Sequence, residues 1–586
     1  MTGAVLVGLC IWGCIMGIFT FMFFVMMVAG LGSSDSKQTV EVEDNSVLRI
    51  NLGDAIDDRS STDYSSIYNS FSFDKMQKLG LNEISRCIHS AINDDKIVGL
   101  YINCSNYNIA ELAIADELRN MIVDFKQRSG KPVYAFSNSF GNLDYYVATA
   151  CDSIYMRVMG DFSLTGLCAQ SLYYKGALDK FGIDAYVVRH GKFKAAVEPF
   201  LQDKMSDDNK LQITTYLTDI WNVIAAAITE GRGIERATID KFVNSLDFYC
   251  DDDVCIGEGF IDGVMLESDF DSKVVSEMGS ENDEGNPKYL SISKYSRTIT
   301  DDDGCSSKIA VLYAGGEIVG DDNGAQCITS KDMVKEIKAV AKDDDVKAVV
   351  LRINSPGGSA VEAEIIYNEL LKLKEKKPVV VSMGGYAASG GYYIASCANK
   401  IIAEPNTITG SIGVFALFFN IKKLLNSALG ITVETVKTHE KSAIMSGADP
   451  KSDSEIAVMQ RSVEHVYSIF LQHVADGRGM SVEQVDSIAQ GRIWTGTSAL
   501  DIGLVDQLGG LEDAIICAAQ LAEIEDGYKV REYPEEEDEF MQIFSSLANE
   551  AARVMYGDEV YEQMRFVKDI KSRNGVQALA PTAIIR

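Results

Sequence analysis

Six segments of this chain occur twice, in the same order and at a nearly constant separation. "VGLYIN" (98–103) returns as "VVLRIN" (349–354), and "KPVYAFS" (131–137) as "KPVVVSM" (377–383). "YYVATACDSIYM" (145–156) returns as "YYIASCANKIIA" (392–403), and "SLTGLCA" (163–169) as "TITGSIG" (407–413). "ITEGRGI" (228–234) returns as "VADGRGM" (474–480), and "IGEGFIDGV" (256–264) matches "ALDIGLVDQL" (499–508) with a small gap. The separation stays between 244 residues (163 to 407) and 251 residues (98 to 349). Self-similarity at one long period marks a tandem duplication, so both halves must adopt the same fold. Within the first copy, "KIVGLYIN" (96–103) reads as a buried strand. Residues 111–130 carry apolar side chains at helical spacing and end on Gly130, and "KPVYAFS" reads as the next strand. Strand–helix–strand alternation predicts parallel sheets covered by helices, hence a duplicated α/β fold.

The remaining segments divide the 586 residues further. From Met1 to Gly32 no side chain is charged, and the run exceeds the roughly 20 apolar residues that cross a bilayer. It is long for a cleaved signal peptide or a buried core helix and lacks a basic leading region. A membrane anchor over 1–32 is therefore expected, followed by a polar linker over 33–45. The first basic side chain, Lys37, follows the run and is a weak indicator of orientation, because a large domain comes after it. The two copies are expected over 46–300 and 301–525, with the acidic stretch "SEMGSENDEGNPK" (276–288) ahead of the second. A non-repeated tail with a helical pattern is expected over 526–586.

Composition excludes some functions. A net charge of −31 argues against nucleic-acid binding, which needs basic patches. The twelve cysteines are scattered. Cys250 and Cys255 are the only close pair outside the apolar N-terminus, and no ligand cluster forms, so no structural metal and no cofactor are expected.

The duplication permits a comparison of the halves. The second copy has "INSPGGS" (353–359) where the first has "INCSNYN" (102–108), so Gly357 and Gly358 face Asn106 and Tyr107. Ser389, in "AASGGYY", faces Asn142, and Ser411 faces Leu167. The glycines and both serines belong to the second half alone. Together they make chemical sense. A nucleophilic serine needs an oxyanion hole, which backbone N–H groups of a glycine-rich turn supply. A serine at a strand-to-helix turn also sits at the positive end of the helix dipole.

The serine needs a base. The chain has five histidines, and His465 and His473 fall on an apparent helix surface. A lysine is the alternative, provided that desolvation lowers its pKa from about 10.4. Two lysines occupy equivalent places: Lys194 in "RHGKFKAAVEPF" and Lys441 in "VKTHEKSAIMSG". The residues alone leave the choice open.

At this point "INSPGGS", "AASGGYYIA", "TGSIGVF" and "KFKAAVEPF" resemble the signal peptide peptidase A (protease IV) family in its long, two-domain form, over about residues 46–525. The resemblance implies ClpP/crotonase-like domains and a membrane-anchored serine endopeptidase with a Ser–Lys dyad. It implies Ser389 as nucleophile and Lys194 as base, with Lys441 the rival. Ser411 would orient the lysine, Gly358 and Gly390 would donate oxyanion N–H groups, and Gly357 would shape their turn. It further implies cleaved signal peptides and other apolar peptides as substrates, and a ring-like homo-oligomer, a tetramer in the family. The expected location is a bacterial inner membrane with extracytoplasmic catalytic domains. Tyr386 departs from the pattern, since an acidic residue often stands there. Two other classes stay in view: a crotonase-type acyl-CoA enzyme, which needs neither a Ser–Lys pair nor an anchor, and an inactive membrane scaffold, against which the intact Ser389, Gly357, Gly358, Ser411 and Lys194 count.

Overall fold

The computed structural model describes residues 41–63, 76–109, 111–245, 252–299, 304–321, 326–524, 527–535, 575–580 and 584–585. The expected anchor lies outside the described residues. Among the described residues no helix is long and apolar enough to cross a membrane.

The first repeat contributes strands β1 (Ser46–Asn51), β2 (Ile97–Asn103), β3 (Val133–Ser137), β4 (Ser153–Arg157), β5 (Asp184–His190), β6 (Gly263–Met265) and β7 (Tyr289–Ser291). The second contributes β8 (Lys308–Gly315), β9 (Val346–Ser355), β10 (Gly357–Ser359), β11 (Val379–Ala388), β12 (Lys400–Ala403), β13 (Val414–Asn420), β14 (Gln507–Leu508) and β15 (Lys529–Tyr533). A further strand, β16, spans Gly575–Leu579. The first sheet runs β6-β4-β3-β2-β1-β7, all parallel. The second has eight strands; six of them run β14-β12-β11-β9-β8-β15, again parallel, while Ile408–Gly410 adds to the far end of β11 and pairs antiparallel with Ile493–Thr495. Position for position the two orders agree, so the duplication read from the sequence extends to topology.

Local sequence explains the elements. β2 and β3 are almost wholly buried, as strands covered on both faces must be. The expected helix over 111–130 forms as α1 (Leu112–Ser129), with Lys126 and Arg128 in its last turn and Gly130 capping it at φ 65°. Two short helices occupy equivalent places after β3 and β11, α2 (Asn142–Ala148) and, later, α4 (Gly390–Ala395); the long helix α3 (Asp207–Arg232) lies between them in the chain. Each repeat has its own main apolar core, one around Leu100, Ile154 and Phe260, the other around Leu351, Val381 and Tyr393.

The helical pattern expected in the tail falls outside the described residues, and the described residues after 525 include strands. β15 is the edge of the second sheet, beyond the expected boundary at 525, and β16 enters a third sheet. Residues 584–585 pair with 169–170. Pairing with distant partners, which no local periodicity can report, sets their state.

Two features join the repeats. Arg352 of the second repeat, fully buried, donates to Asp58 at 2.6 Å and to Glu117 at 2.6 Å, both in the first. Asn406 reaches Asp116 at 2.8 Å, and the amide of Leu511 donates to Glu117 at 2.8 Å. The second feature is the third sheet, in the order Cys327–Thr329, Glu317–Val319, β10, β16, β13, β5. There β5 of the first repeat pairs antiparallel with β13 of the second over their full lengths, from Asp184 opposite Asn420 to His190 opposite Val414.

Candidate active site

The β5–β13 pairing delivers Lys194 to the second repeat. Lys194 follows β5 by four residues and is fully buried. Its Nζ lies 2.7 Å from Ser389 Oγ, 2.9 Å from the Ser411 carbonyl oxygen and 3.0 Å from Ser411 Oγ. No carboxylate is among these partners. Burial without a counter-charge disfavours the ammonium, so the Lys194 pKa falls well below its ordinary value.

Ser389 stands at the turn from β11 into α4 with φ 55° and ψ −112°. A left-handed backbone at a non-glycine residue costs about 1–3 kcal/mol and persists only where the surroundings impose it. Here the Ser389 amide donates to the Gly410 carbonyl at 2.8 Å, and α4 begins at the next residue. The side chain makes no capping bond to the helix, which leaves Oγ to Lys194. Ser411, at φ 49°, is held by its amide bond to the Arg492 carbonyl at 2.7 Å.

The glycines build the wall opposite. Gly357 has φ 101° and Gly358 φ 151°. A Cβ on Gly357 would lie 2.6 Å from the Gly390 amide nitrogen, and one on Gly390 would lie 3.1 Å from the Gly358 nitrogen. The Gly358 and Gly390 amides therefore converge beside Ser389, and only glycine fits between them.

Sequence reasoning missed the cradle around the lysine. A Cβ on Gly491 would sit 2.7 Å from both Cβ and the backbone nitrogen of Lys194, and Gly491 itself has φ 76°. A Cβ on Gly413 would sit 3.3 Å from Lys194 Cδ. The Phe193 amide donates to the Gln490 carbonyl at 3.0 Å, Gln212 of α3 donates to the Phe193 carbonyl at 3.1 Å, and Arg189 donates to the Lys194 carbonyl at 3.0 Å. Gly413 stands inside the "TGSIGVF" motif and was open to notice; Gly491 carries no motif signal.

The rival base is elsewhere. Lys441 donates to Ser454 at 2.7 Å in a partly exposed segment, and it is Lys194 that reaches Ser389. Histidines also pair away from the serine, His190 with Glu464 and His473 with Glu364. Tyr386, the departure from the family pattern, packs against the core of the first repeat.

In the first repeat the equivalent place is closed. Asn142 donates to the Gly166 carbonyl at 2.8 Å and accepts from the amides of Thr165 at 3.1 Å and Gly166 at 3.2 Å. Asn106, opposite Gly357 in the alignment, keeps a left-handed φ of 58° without the glycine.

This geometry sits within a recognisable lineage. The family model described as peptidase family S49 matches residues 125–272 and 371–525, once in each repeat, and the Clp protease family model matches 310–409. The chain is 32% identical over 555 residues to Protease 4 of Haemophilus influenzae, a match covering 91% of this chain and 89% of that protein. It is 31% identical over 457 residues to the chloroplastic serine protease SPPA of Arabidopsis thaliana, covering 76% and 66%. A 217-residue stretch is 37% identical to the putative signal peptide peptidase SppA of Enterococcus faecium, covering 36% and 62%. Matches across both repeats and nine-tenths of the chain are enough to assign it: this chain belongs to peptidase family S49 and is a serine protease.

Proposed function

We propose that Ser389 and Lys194 form a Ser–Lys dyad that hydrolyses extended, apolar peptides. The observation that carries the reading is the 2.7 Å approach of Lys194 Nζ to Ser389 Oγ in a site with no counter-charge for the ammonium. A neutral amine has a lone pair, so the contact with Ser389 can run with the hydroxyl donating to Nζ. As Oγ attacks the peptide carbonyl, its proton passes to Lys194. The Gly358 and Gly390 amides meet the negative charge that develops on the carbonyl oxygen. Lys194 then protonates the departing amine, takes a proton from water for deacylation, and returns it to Ser389. Ser411 holds Nζ through both of its oxygens and keeps the amine aimed at Ser389.

Residues 1–32 act as the membrane anchor in this reading and hold the site beside the bilayer, facing outward from the cytoplasm of a bacterial cell. Cleaved signal peptides are apolar and membrane-derived, and the name of the Enterococcus relative points to the same class. The tandem arrangement, in which one repeat supplies a lysine to the next, also favours ring assembly from several copies. A fluorophosphonate probe tests the chemistry. Labelling should map to Ser389 and be lost in Lys194→Met, whose side chain keeps the bulk but not the base. Labelling that persists in Lys194→Met or maps to another serine would refute the dyad.

A further inference from the structure

The loop that carries Lys194 is gripped at both ends by the second repeat. At its start the His190 ring stacks on Tyr467, with ring centroids 3.8 Å apart, and pairs with Glu464 at 2.6 Å. Gly191 then passes so close to Gln490 that a Cβ would lie 2.4 Å from its carbonyl oxygen. At the other end the buried Phe193 meets the guanidinium of Arg492, whose Cζ lies 5.2 Å from the Phe193 ring centroid. The same Cζ lies 4.2 Å from the Trp494 ring. A guanidinium is attracted to aromatic faces within about 6 Å, and most strongly to tryptophan. Lys192 also lies over the Phe193 ring, at 4.9 Å, but its side chain is exposed to water.

Arg492 Nε is buried and meets no hydrogen-bond acceptor among the described residues, so the two rings are what this cation faces. Trp494 is itself fixed. Its Nε1 donates to the Ile488 carbonyl at 3.0 Å, and a Cβ on Gly410 would lie 2.7 Å from Trp494 Cδ1. The backbone of Arg492 reaches the other support of the lysine. Its carbonyl accepts the Ser411 amide at 2.7 Å, and Ser411 contacts Lys194 Nζ through both of its oxygens. One residue therefore touches the neighbour that precedes Lys194 and the serine that orients it. A carboxylate could hold an arginine here as well, but it would also favour the ammonium form of the nearby lysine. Aromatic faces hold the cation without adding a negative charge.

We propose that Arg492 is a positioning residue for the dyad: held by the faces of Phe193 and Trp494, its guanidinium fixes Lys194 against Ser389 and Ser411. It does not touch the reacting atoms. The inference rests on the Ser389–Lys194 reading above. Without this clamp the turn from Gly191 to Lys194 loosens while His190 stays docked on Tyr467, so the repeats remain joined but Nζ is no longer aimed. Water then reaches the amine, and the desolvation that lowers its pKa is relaxed.

Peptide kinetics across pH, beside denaturant titrations and the rate of fluorophosphonate labelling at Ser389, test this in the full chain. Arg492→Met keeps much of the bulk but not the charge. It should lower kcat by about 10²-fold, the cost of roughly 1 Å of misplacement, with KM nearly unchanged. The acid limb of its pH–rate profile should move up toward about 10.4, and labelling that is slow at neutral pH should recover on the alkaline side. Arg492→Lys, which keeps a cation over the rings, should fall between Arg492→Met and the wild type. Trp494→Leu, which removes one face, should move the acid limb in the same direction, and with Arg492→Lys it carries the test if Arg492→Met does not fold. A wild-type acid limb in these variants, or a loss seen only in KM or only in the unfolding midpoint, would show that Arg492 merely packs the interface and would overturn the proposal. A wild type that takes no label at Ser389 defeats the dyad reading, and the clamp with it.

Discussion

A lysine whose Nζ touches two hydroxyls and a carbonyl has nothing to offset the water an ammonium would lose on burial. Its native pKa is therefore lowered, which makes Lys194 neutral, and a base, at lower pH than an exposed lysine. The value of kcat/KM should rise with pH through that native pKa and level off before about 10.4, the value of a free lysine. A pH–rate profile whose acid limb falls in the carboxylate range would contradict a lysine base. The same shift has a stability consequence. Between the lowered native pKa and about 10.4 the unfolded chain binds a proton that the native state lacks, so stability rises with pH across that window. Lys194→Met should flatten this rise in denaturant titrations. It should also lower turnover by about 10²–10⁴-fold, the usual contribution of general-base catalysis. Lys441→Met, with a side chain that bonds Ser454, should leave steady-state rates nearly unchanged.

At the scale of elements, the site depends on backbones that approach too closely for side chains. Gly491 faces both the backbone nitrogen and Cβ of Lys194, neither of which can swing aside as a flexible side-chain tip would. Gly491→Ala should displace the lysine and reduce kcat by about 10²-fold, the cost of roughly 1 Å of misplacement. Its circular dichroism should match the wild type. Gly357→Ala acts on the other wall. With φ at 101° and a new Cβ 2.6 Å from the Gly390 nitrogen, it should distort the wall beside Ser389 and lower activity on added peptides. Kinetics on a peptide substrate would report the effect; unchanged kcat/KM would show that the cleft lies elsewhere.

Across the whole molecule, the proposed dyad requires two repeats locked together, because each supplies one of its two residues. The lock is a buried charge network in which Arg352 is shared by Asp58 and Glu117. Removing one member of a buried pair leaves a charge without a partner and typically costs about 3–5 kcal/mol. Glu117→Ala should lower unfolding stability by that order, since it also strips the Leu511 amide of its acceptor. Glu117→Gln should cost less, because its amide oxygen still accepts from Arg352. Urea titrations of the three proteins would show the order; equal midpoints would mean that the repeats are held by other contacts.

Much of this was legible from local patterns. The period of the repeat, the buried strands and the Gly130 stop are properties of short stretches, and physics acts on them in place. Comparing the copies singled out Ser389, Ser411 and the glycines, because the first half had lost them together. The choice between Lys194 and Lys441 was different in kind. Both sit at equivalent positions, and only the antiparallel seating of β5 on β13 brings one of them to the serine. The place of "GVQAL" (575–579) was hidden for the same reason: an isolated short strand has no stability of its own, and its state is decided by edges that lie more than 150 residues away. Residue types and spacing determined which chemistry this chain can perform. The tertiary structure decided which lysine lies beside Ser389 and which strand pairs with β10, because both depend on pairings between segments distant in sequence.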